Sequence, residues 1–248
     1  MEKIHNPHDL YFKETMSKAE NARSFLDSCL APEIRSLLAL DRLEIEKDSF
    51  VAPELAEYVS DMLYQVPLCD GRRGHVYILL EHKSFADPWV ALQILEYMVQ
   101  CWRTARTEYL ARKKREKEEA ERNPEQPKIA QGEFHLPVII PIVLYHGTHA
   151  WNNGSNSGAM FNCPPALQRF IPDFSYVMYD LVKTDEKQID GNPYVQIMLR
   201  IFKFVRTPLL ADKLATILSE FAGQISTDNL SDTVKPIVSH LLNAGNIE

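Results

Sequence analysis

The clearest pattern of apolar and polar positions in the chain lies between residues 60 and 84. Two apolar runs rich in β-forming residues, 62–66 and 75–80, flank a polar stretch that contains Asp70, Gly71 and Gly74. Short apolar runs separated by Gly and Asp are typical of two strands joined by a hairpin loop. The pattern therefore predicts an antiparallel pair of strands over these residues.

Three further segments have the composition of strands. Residues 136–144 are β-branched and flanked by prolines, which indicates a buried strand, and residues 174–179 alternate up to Asp180. Residues 49–51 are a candidate for the first strand of the sheet. A helix between the hairpin and residues 136–144 provides the crossover that a parallel strand requires. This order of elements predicts an α/β fold.

Helical spacing of apolar residues accounts for most of the remaining chain. Asn6-Pro7 and Asp87-Pro88 are helix-start signals, because Pro is favoured in the first turn. The predicted helices cover most of residues 1–40, then residues 89–106, 194–204, 209–221 and 232–243. The last three contain no catalytic constellation, so their expected role is packing against the core or dimerisation.

Three charged residues mark one end of the predicted hairpin. Asp61 precedes the first strand, whereas Glu81 and Lys83 end the second. In an antiparallel pair the start of one strand lies beside the end of the next, so these side chains are expected to converge. Because strand side chains alternate between faces, Glu81 and Lys83 share one face and His82 points to the other.

Two neighbouring carboxylates and an ammonium suit the hydrolysis of a phosphodiester. Mg²⁺ takes one or two carboxylates together with waters and phosphate oxygens, and it activates a bound water. A lysine beside it can orient that water or offset developing charge. The alternative is a pair of strand ends with solvated charges. The apolar residues 77–80 lead directly into Glu81 and favour a site, since charges are seldom buried without partners.

Short motifs, in chain order, resemble those of one nuclease family. They are residues 7–13 (PHDLYFK), 60–64 (SDMLY), 79–84 (LLEHKS) and 141–147 (PIVLYHG), followed by Trp151. Asp61 and Glu81-His82-Lys83 match the pattern of the PD-(D/E)xK nuclease superfamily. The whole series resembles the Rpn family of recombination-promoting nucleases, also called YhgA-like transposases. Ser60 stands where the pattern has Pro, Lys83 stands where many members carry Gln, and no motif matches after residue 205.

This resemblance implies a restriction-endonuclease-like core, in which a central mixed β-sheet is flanked by helices, with a helical C-terminal region. It also implies a metal-dependent DNA endonuclease that promotes recombination. Asp61 and Glu81 would be the ligands of Mg²⁺ or Mn²⁺, and Lys83 would serve the water. A catalytically silent nucleic-acid-binding or interaction module on the same fold is the alternative function.

Further candidates for the cleft lie outside the hairpin. Asp9 and Lys13 are one helical turn apart in the opening motif, and a surface ion pair is the alternative. Gln93 and Tyr97 share a helix face and resemble the QxxxY motif of RecB-like members, where it lies beside the metal and touches DNA; a core-facing Tyr is the alternative. His146, in a loop after a predicted strand, is the last candidate.

The charge of the chain and its distribution indicate how the protein could bind DNA. The chain has 248 residues and a formal net charge of -7, which does not suggest a general nucleic-acid binder but is compatible with a locally basic cleft. Between residues 103 and 122 the balance is positive, with four consecutive cations, Arg112, Lys113, Lys114 and Arg115. This run is interpreted either as a solvated helix end or as a DNA-binding arm that contacts phosphates.

The expected location is the cytoplasm. The four cysteines show no zinc spacing and are interpreted as reduced thiols. No signal-peptide pattern and no apolar run of membrane-spanning length is present in the sequence, so no membrane association is expected. A homodimer is left open.

Two units are expected along the chain. Residues 1–185 would form the nuclease-like domain, with the basic helix and linker of residues 103–132 inserted. Residues 186–248 would form a helical extension that packs on it.

Overall fold

A computed structural model describes residues 7–46, 62–70, 75–122, 134–221, 223–224 and 237. Within these residues, five strands form one sheet in chain order: β1 (Glu44–Ile45), β2 (Met62–Pro67), β3 (His75–Lys83), β4 (Val138–Tyr145) and β5 (Val177–Asp180). Strands β1, β2 and β3 pair antiparallel, whereas β3, β4 and β5 pair parallel. The sheet is therefore mixed, with β3 at the change of direction.

Helices account for most of the remaining described chain. They are α1 (Pro7–Met16), α2 (Ala19–Cys29), α3 (Pro32–Arg35), α4 (Val90–Arg122), α5 (Pro193–Phe204) and α6 (Leu210–Phe221). Single 3₁₀ turns occupy Leu40–Arg42, Ser157–Met160, Pro165–Phe170 and Glu186–Gln188. None of the helices in the described part of the chain combines the length and the apolar character required to span a bilayer.

Alternation along the strands divides the core into two layers. One face of the sheet packs against α1, α2, α5 and α6, and its buried residues include Ile78, Leu80, Ile142 and Leu144. The other face packs against α4, and its buried residues include Tyr77, Val143 and Tyr145. Because neighbouring residues of a strand point to opposite faces, successive side chains near the end of β3 point alternately into one layer and the other.

Local sequence explains where helices α4 and α5 begin. The Asp87 carboxylate accepts a hydrogen bond from the Trp89 N–H at 2.9 Å, immediately before α4. The Asn192 side chain accepts from the Val195 N–H at 3.0 Å, with Pro193 in the first turn of α5. Such side-chain caps satisfy amide groups that have no partner within the helix itself.

The fold class expected from the sequence is confirmed. The hairpin is β2 and β3, and the crossover helix leads from β3 to a parallel β4, as predicted. The mixed sheet between helices, followed by a helical C-terminal region, is the architecture of a restriction-endonuclease-like core. The expected strand at residues 49–51 lies outside the described residues, as does nearly all of the expected helix at 232–243.

Two helix predictions differ from the structure. The helical pattern of the first 40 residues is divided, because α1 ends at Met16 and α2 begins at Ala19. The helix predicted over 89–106 instead continues to Arg122 as one 33-residue helix. The basic helix expected after residue 103 is thus the continuation of this helix, in agreement with the helix propensity of Lys, Arg and Glu.

Candidate active site

Two charged side chains at the end of β3 are buried on the α4 side of the sheet. Glu81 and Lys83 are only 4% and 9% exposed. Their side chains face the same layer, with Lys83 Nζ 3.2 Å from Glu81 Oε1. His82, between them, points into the opposite layer against Phe12. The alternation expected from the sequence is therefore present, and it brings an ammonium and a carboxylate together away from bulk solvent.

Gln93 of α4 connects these two groups. Its side-chain amide donates to Glu81 Oε1 at 3.0 Å and to the Tyr97 hydroxyl at 2.6 Å. Its carbonyl oxygen accepts from Lys83 Nζ at 2.6 Å. The sequence placed Gln93 and Tyr97 on one helix face, and the structure brings that face to the Glu81–Lys83 pair. Tyr97 is also 9% exposed, so its ring contributes to the core while its hydroxyl contacts Gln93.

Asp87 also belongs to this network. The sequence pattern indicated only that it lies at the start of a helix. Its Oδ2 atom lies 3.3 Å from Lys83 Nζ, while its Oδ1 atom caps the first turn of α4. The Asn153 side chain donates to the Asp87 carbonyl oxygen at 2.9 Å. The available signal was the spacing of Lys83 and Asp87, which are four residues apart across the strand-to-helix connection.

Lys83 is surrounded by acceptors. An ammonium group has three donors, and Lys83 Nζ has three acceptor atoms within 3.3 Å, one each from Glu81, Asp87 and Gln93. The contact to Gln93, at 2.6 Å, is shorter than the contacts to the two carboxylates, at 3.2 and 3.3 Å.

The second oxygen of Glu81 has no hydrogen-bond partner among the described residues, although it is buried. Burial raises the pKa of the Glu81 carboxyl above its ordinary value, while the charge of Lys83, the hydrogen bonds from Lys83 and Gln93, and the charge of Lys13 lower it. An unsatisfied buried carboxylate oxygen is costly unless a donor or a cation occupies it. The position therefore fits a hard divalent cation, which prefers oxygen ligands.

The other expected metal ligand, Asp61, lies outside the described residues. It directly precedes Met62, which is paired with Leu80, the residue before Glu81. Within the described part of the chain, no group of three or more His, Cys, Asp or Glu side chains is arranged to hold a metal. The metal-binding roles of Asp61 and Glu81 remain predictions.

Asp9 and Lys13 form the ion pair that their spacing suggested. Lys13 Nζ lies 3.2 Å from Asp9 Oδ2, with the two side chains 41% and 26% exposed. The charge of Lys13 reaches Glu81, since it is one of the causes that lower the pKa of that carboxyl. The participation of this pair in chemistry stays a prediction.

His146 is placed apart from this network. It follows β4, is 1% exposed, and stacks on His82 with ring centroids 4.6 Å apart. Phe12 stacks on the same His82 ring at 4.9 Å, and Phe202 of α5 stacks on His146 at 4.6 Å. We call these four residues, Phe12, His82, His146 and Phe202, the ring stack. It lies on the face of β3 opposite to Glu81 and Lys83, as the alternation along β4 from Leu144 to His146 requires.

The four consecutive cations lie far along α4 from Gln93. Arg112, Lys113, Lys114 and Arg115 are all exposed. Arg112 lies 3.8 Å from Glu116, and both Arg112 and Lys113 lie 5.7 Å from the centre of the Tyr109 ring. These weak local contacts leave the segment available to solvent or to a polyanion, and its DNA-binding role stays a prediction.

Fold and site together define an α/β protein with a restriction-endonuclease-like core and a buried Glu–Lys pair at the end of a central strand. The chain belongs to the family described as "Putative transposase, YhgA-like", whose model matches residues 6–232. This confirms the resemblance drawn from the motifs. No solved structure gives a significant match.

Three curated relatives are proteins of Escherichia coli (strain K12). Recombination-promoting nuclease RpnC is 27% identical over 217 residues, which is 86% of this chain and 64% of RpnC. Inactive recombination-promoting nuclease-like protein RpnE matches equally, at 27% over 217 residues, 86% of this chain and 64% of RpnE. Recombination-promoting nuclease RpnA is 23% identical over 240 residues, 96% of this chain and 73% of RpnA. The chain thus spans just under two thirds of RpnC and RpnE.

Proposed function

We propose that this protein is a metal-dependent endonuclease that hydrolyses phosphodiester bonds of DNA and thereby promotes recombination. The observation that carries the proposal is the buried Glu81 carboxylate, which has one oxygen without a partner among the described residues and the other bound by Lys83 and Gln93. The names of relatives such as RpnC and RpnA support the same activity.

Asp61 and Glu81 would hold Mg²⁺ or Mn²⁺. When bound there, the metal supplies Lewis acidity toward the phosphodiester and an activated water at neutral pH. Glu81 is suited to this role because its free oxygen faces a site from which most water is excluded. Gln93 fixes the direction of the carboxylate through the other oxygen, as residues that contact metal ligands commonly do.

Lys83 would orient the attacking water and offset the charge that develops on the phosphate. Its three acceptors match the three donors of an ammonium, so the group is held in place by Glu81, Asp87 and Gln93. Electrostatic stabilisation by a fixed cation in a site of low water content is a large contribution in such reactions. We therefore assign charge stabilisation to Lys83, and not proton abstraction.

The proposal is tested by removing each carboxylate separately. Asp61→Ala and Glu81→Gln should each reduce Mg²⁺-dependent plasmid nicking at least about 100-fold, with the thermal unfolding transition retained. Glu186→Gln is the matched control, because Glu186 pairs with Lys213 in another part of the protein. If either variant cleaves plasmid as fast as the parent, that carboxylate does not hold a required metal, or the activity came from a contaminant.

A direct test of metal binding uses crystals soaked in Mn²⁺. We expect anomalous density between Asp61 and Glu81. Density elsewhere, or none at a concentration that supports cleavage, contradicts the ligand assignment even if the protein cuts DNA.

A second candidate is a nucleic-acid-binding module without catalysis. The observation in its favour is that RpnE, a relative named inactive, matches this chain as closely as RpnC does. Glu81 and Lys83, with their contacts to Gln93, argue for catalysis. DNA binding without nicking in Mg²⁺ or Mn²⁺, unaffected by Glu81→Gln, would favour the silent module.

A further inference from the structure

Two exposed aromatic side chains lie in the connection that leads from the Glu81–Lys83 pair of β3 to helix α4. Phe85 is 63% exposed and Trp89 is 65% exposed, and they lie on either side of Asp87, whose carboxylate contacts Lys83. Neither ring has a ring contact or side-chain hydrogen bond within the described residues. By contrast Phe170, which is 70% exposed, has the Arg169 guanidinium 4.8 Å from its centre. Large aromatic side chains are usually buried, so an uncovered pair beside a candidate active site requires a reason.

The backbone that carries Trp89 is fixed, although its ring is open to solvent. Its N–H donates to Asp87 Oδ1 at 2.9 Å, and its carbonyl oxygen accepts from the Gln93 N–H at 3.0 Å. Trp89, Gln93 and Tyr97 follow one another at four-residue spacing, which places them on one helix face. Tyr97 is buried and Gln93 half-buried, whereas Trp89 is exposed. Trp89 is therefore the outermost member of the row that passes Glu81 and Lys83.

Charge at the site gives little attraction for a polyanion. Lys83 is already paired with Glu81 and Asp87, and Lys13 is paired with Asp9. The whole chain has a formal net charge of -7. A nucleic acid held at this position must therefore gain much of its local affinity from contacts that do not depend on phosphate charge. Stacking of bases on aromatic rings is such a contact.

The flat faces of DNA bases are accessible to a protein only where the bases are not stacked continuously on one another. In an intact duplex the bases present their edges in the grooves, so a protein ring reaches a base face only at an unpaired nucleotide or an opened step. Resting on the proposed function, we infer that Phe85 and Trp89 stack on unpaired bases next to the phosphate that is cut. The substrate class is then DNA with unpaired nucleotides at the cleavage position, such as a single strand or a junction between single and double strand.

The inference is tested by binding without cleavage. The parent, Phe85→Ala and Trp89→Ala are titrated in EDTA with three labelled DNAs of related sequence: a single strand, a blunt duplex and a splayed fork. Trp89→Ala should weaken binding to the single strand and the fork about 5- to 100-fold, with duplex binding changed less than about twofold. Phe85→Ala should act in the same direction. Trp89→Phe should retain most of the affinity, because it keeps an aromatic ring. Phe170→Ala, an exposed aromatic elsewhere, should bind all three DNAs as the parent does.

Three results would overturn the inference. One is single-strand binding by Phe85→Ala and Trp89→Ala that equals the parent's. Another is an equal loss on duplex and single strand. The third is conversion of a dimeric parent to a monomer by Trp89→Ala, which would show that a second copy covers the rings. If the parent nicks DNA through Glu81 but Trp89→Ala binds normally, only this inference fails. If the parent binds none of the three DNAs in EDTA yet nicks DNA in Mg²⁺, only this inference fails, because base stacking needs no metal. If it neither binds nor nicks, the proposed function fails with it.

Discussion

The two halves of helix α4 have different surroundings, although they belong to one continuous element. In the first half, six residues are buried: Val90, Ala91, Ile94, Tyr97, Met98 and Cys101. From residue 103 to Arg122 no residue is buried. Tertiary packing holds the first half, whereas the second half depends on helix propensity and on surface ion pairs such as Lys117 with Glu121. Only the first half can position a side chain against a reacting group.

This difference separates two kinds of contribution to the proposed cleavage of DNA. Gln93 and Arg112 are 19 residues apart, which corresponds to about 28 Å along a helix, or about eight nucleotide steps of a strand. The buried half would act on the reaction itself, and the exposed half would act on the phosphate backbone well away from the cut. Each of the following experiments either separates these contributions further or shows that they are not distinct.

The largest effect is expected at Lys83. Lys83→Met should lose nearly all cleavage, whereas Lys83→Gln, which restores a residue common in the family and keeps a hydrogen-bond donor, should retain a measurable but reduced rate. Plasmid nicking under single-turnover conditions measures both. Lys213→Met, which removes the partner of Glu186, is the control and should cleave normally. Gln and Met variants that are equally inactive between about pH 7 and 9 would instead indicate that the amine itself is required.

The next effect is expected at Gln93. Gln93→Leu removes the donor to Glu81 and the acceptor for Lys83, and should lower kcat about 10- to 100-fold with little change in the salt dependence of binding. Tyr97→Phe should have a smaller effect, because Gln93 keeps both of these contacts. Gln100→Leu, on the same helix but outside the network, is the control. A Gln93→Leu variant that fails mainly in DNA binding would remove the distinction between the two halves.

A smaller effect on catalysis, but a characteristic one on binding, is expected from the basic segment. Replacing Arg112, Lys113, Lys114 and Arg115 with Ser should lower the slope of log K against log salt by roughly 3 to 4 units, because four phosphate contacts are lost. The rate at saturating DNA should be unchanged. Replacing Glu118 and Glu119 with Ser removes charge from the same segment and should not lower the slope. An unchanged slope in the quadruple variant would identify the segment as a solvated helix only.

The smallest effect concerns stability without metal. Because burial raises the pKa of Glu81 above 4.5 in the folded state, the folded protein keeps a proton that the unfolded chain has released. Stability contributed by this group is therefore lost as pH rises from the ordinary glutamate range through the raised pKa. Glu81→Gln has no such titration. In EDTA, the Tm of this variant minus the Tm of the parent should therefore increase as pH rises. Each kcal/mol of unfolding free energy that the parent loses corresponds to about 2–4 °C in this difference. A difference in Tm that does not change with pH would contradict the burial argument.

Much of the fold followed from local pattern. The hairpin, the buried β4 and the crossover helix were predictable because period-two alternation and turn residues are local properties. The placement of Glu81 and Lys83 on one face of β3 followed from the same alternation, independently of how helices pack. The bounds of α5 and α6 were also close to those expected, because Pro193 and regular apolar spacing define them.

The contacts of Asp87 and the position of His146 depend on how segments distant in sequence pack together, which local pattern does not show. Asp87 contacts Lys83 because the connection after β3 turns back, and its helix-start role concealed this second contact. His146 shares the face of His82 by alternation, but the sequence did not reveal which layer lies on that face. The division into units at residues 185 and 186 stays a prediction, and so do the roles of the site residues, including Asp61.

The ring stack has a consequence for the order in which the protein acquires its function. It joins Phe12 near the start of the chain, His82 and His146 in the middle, and Phe202 of α5. Contacts between residues so far apart in sequence form late, and chains fold as they emerge during synthesis. A growing chain that has not yet released Phe202 lacks the support beneath the strand that carries Glu81 and Lys83. Under the proposed function, synthesis itself would therefore delay the ability to cut DNA until residue 202 has emerged.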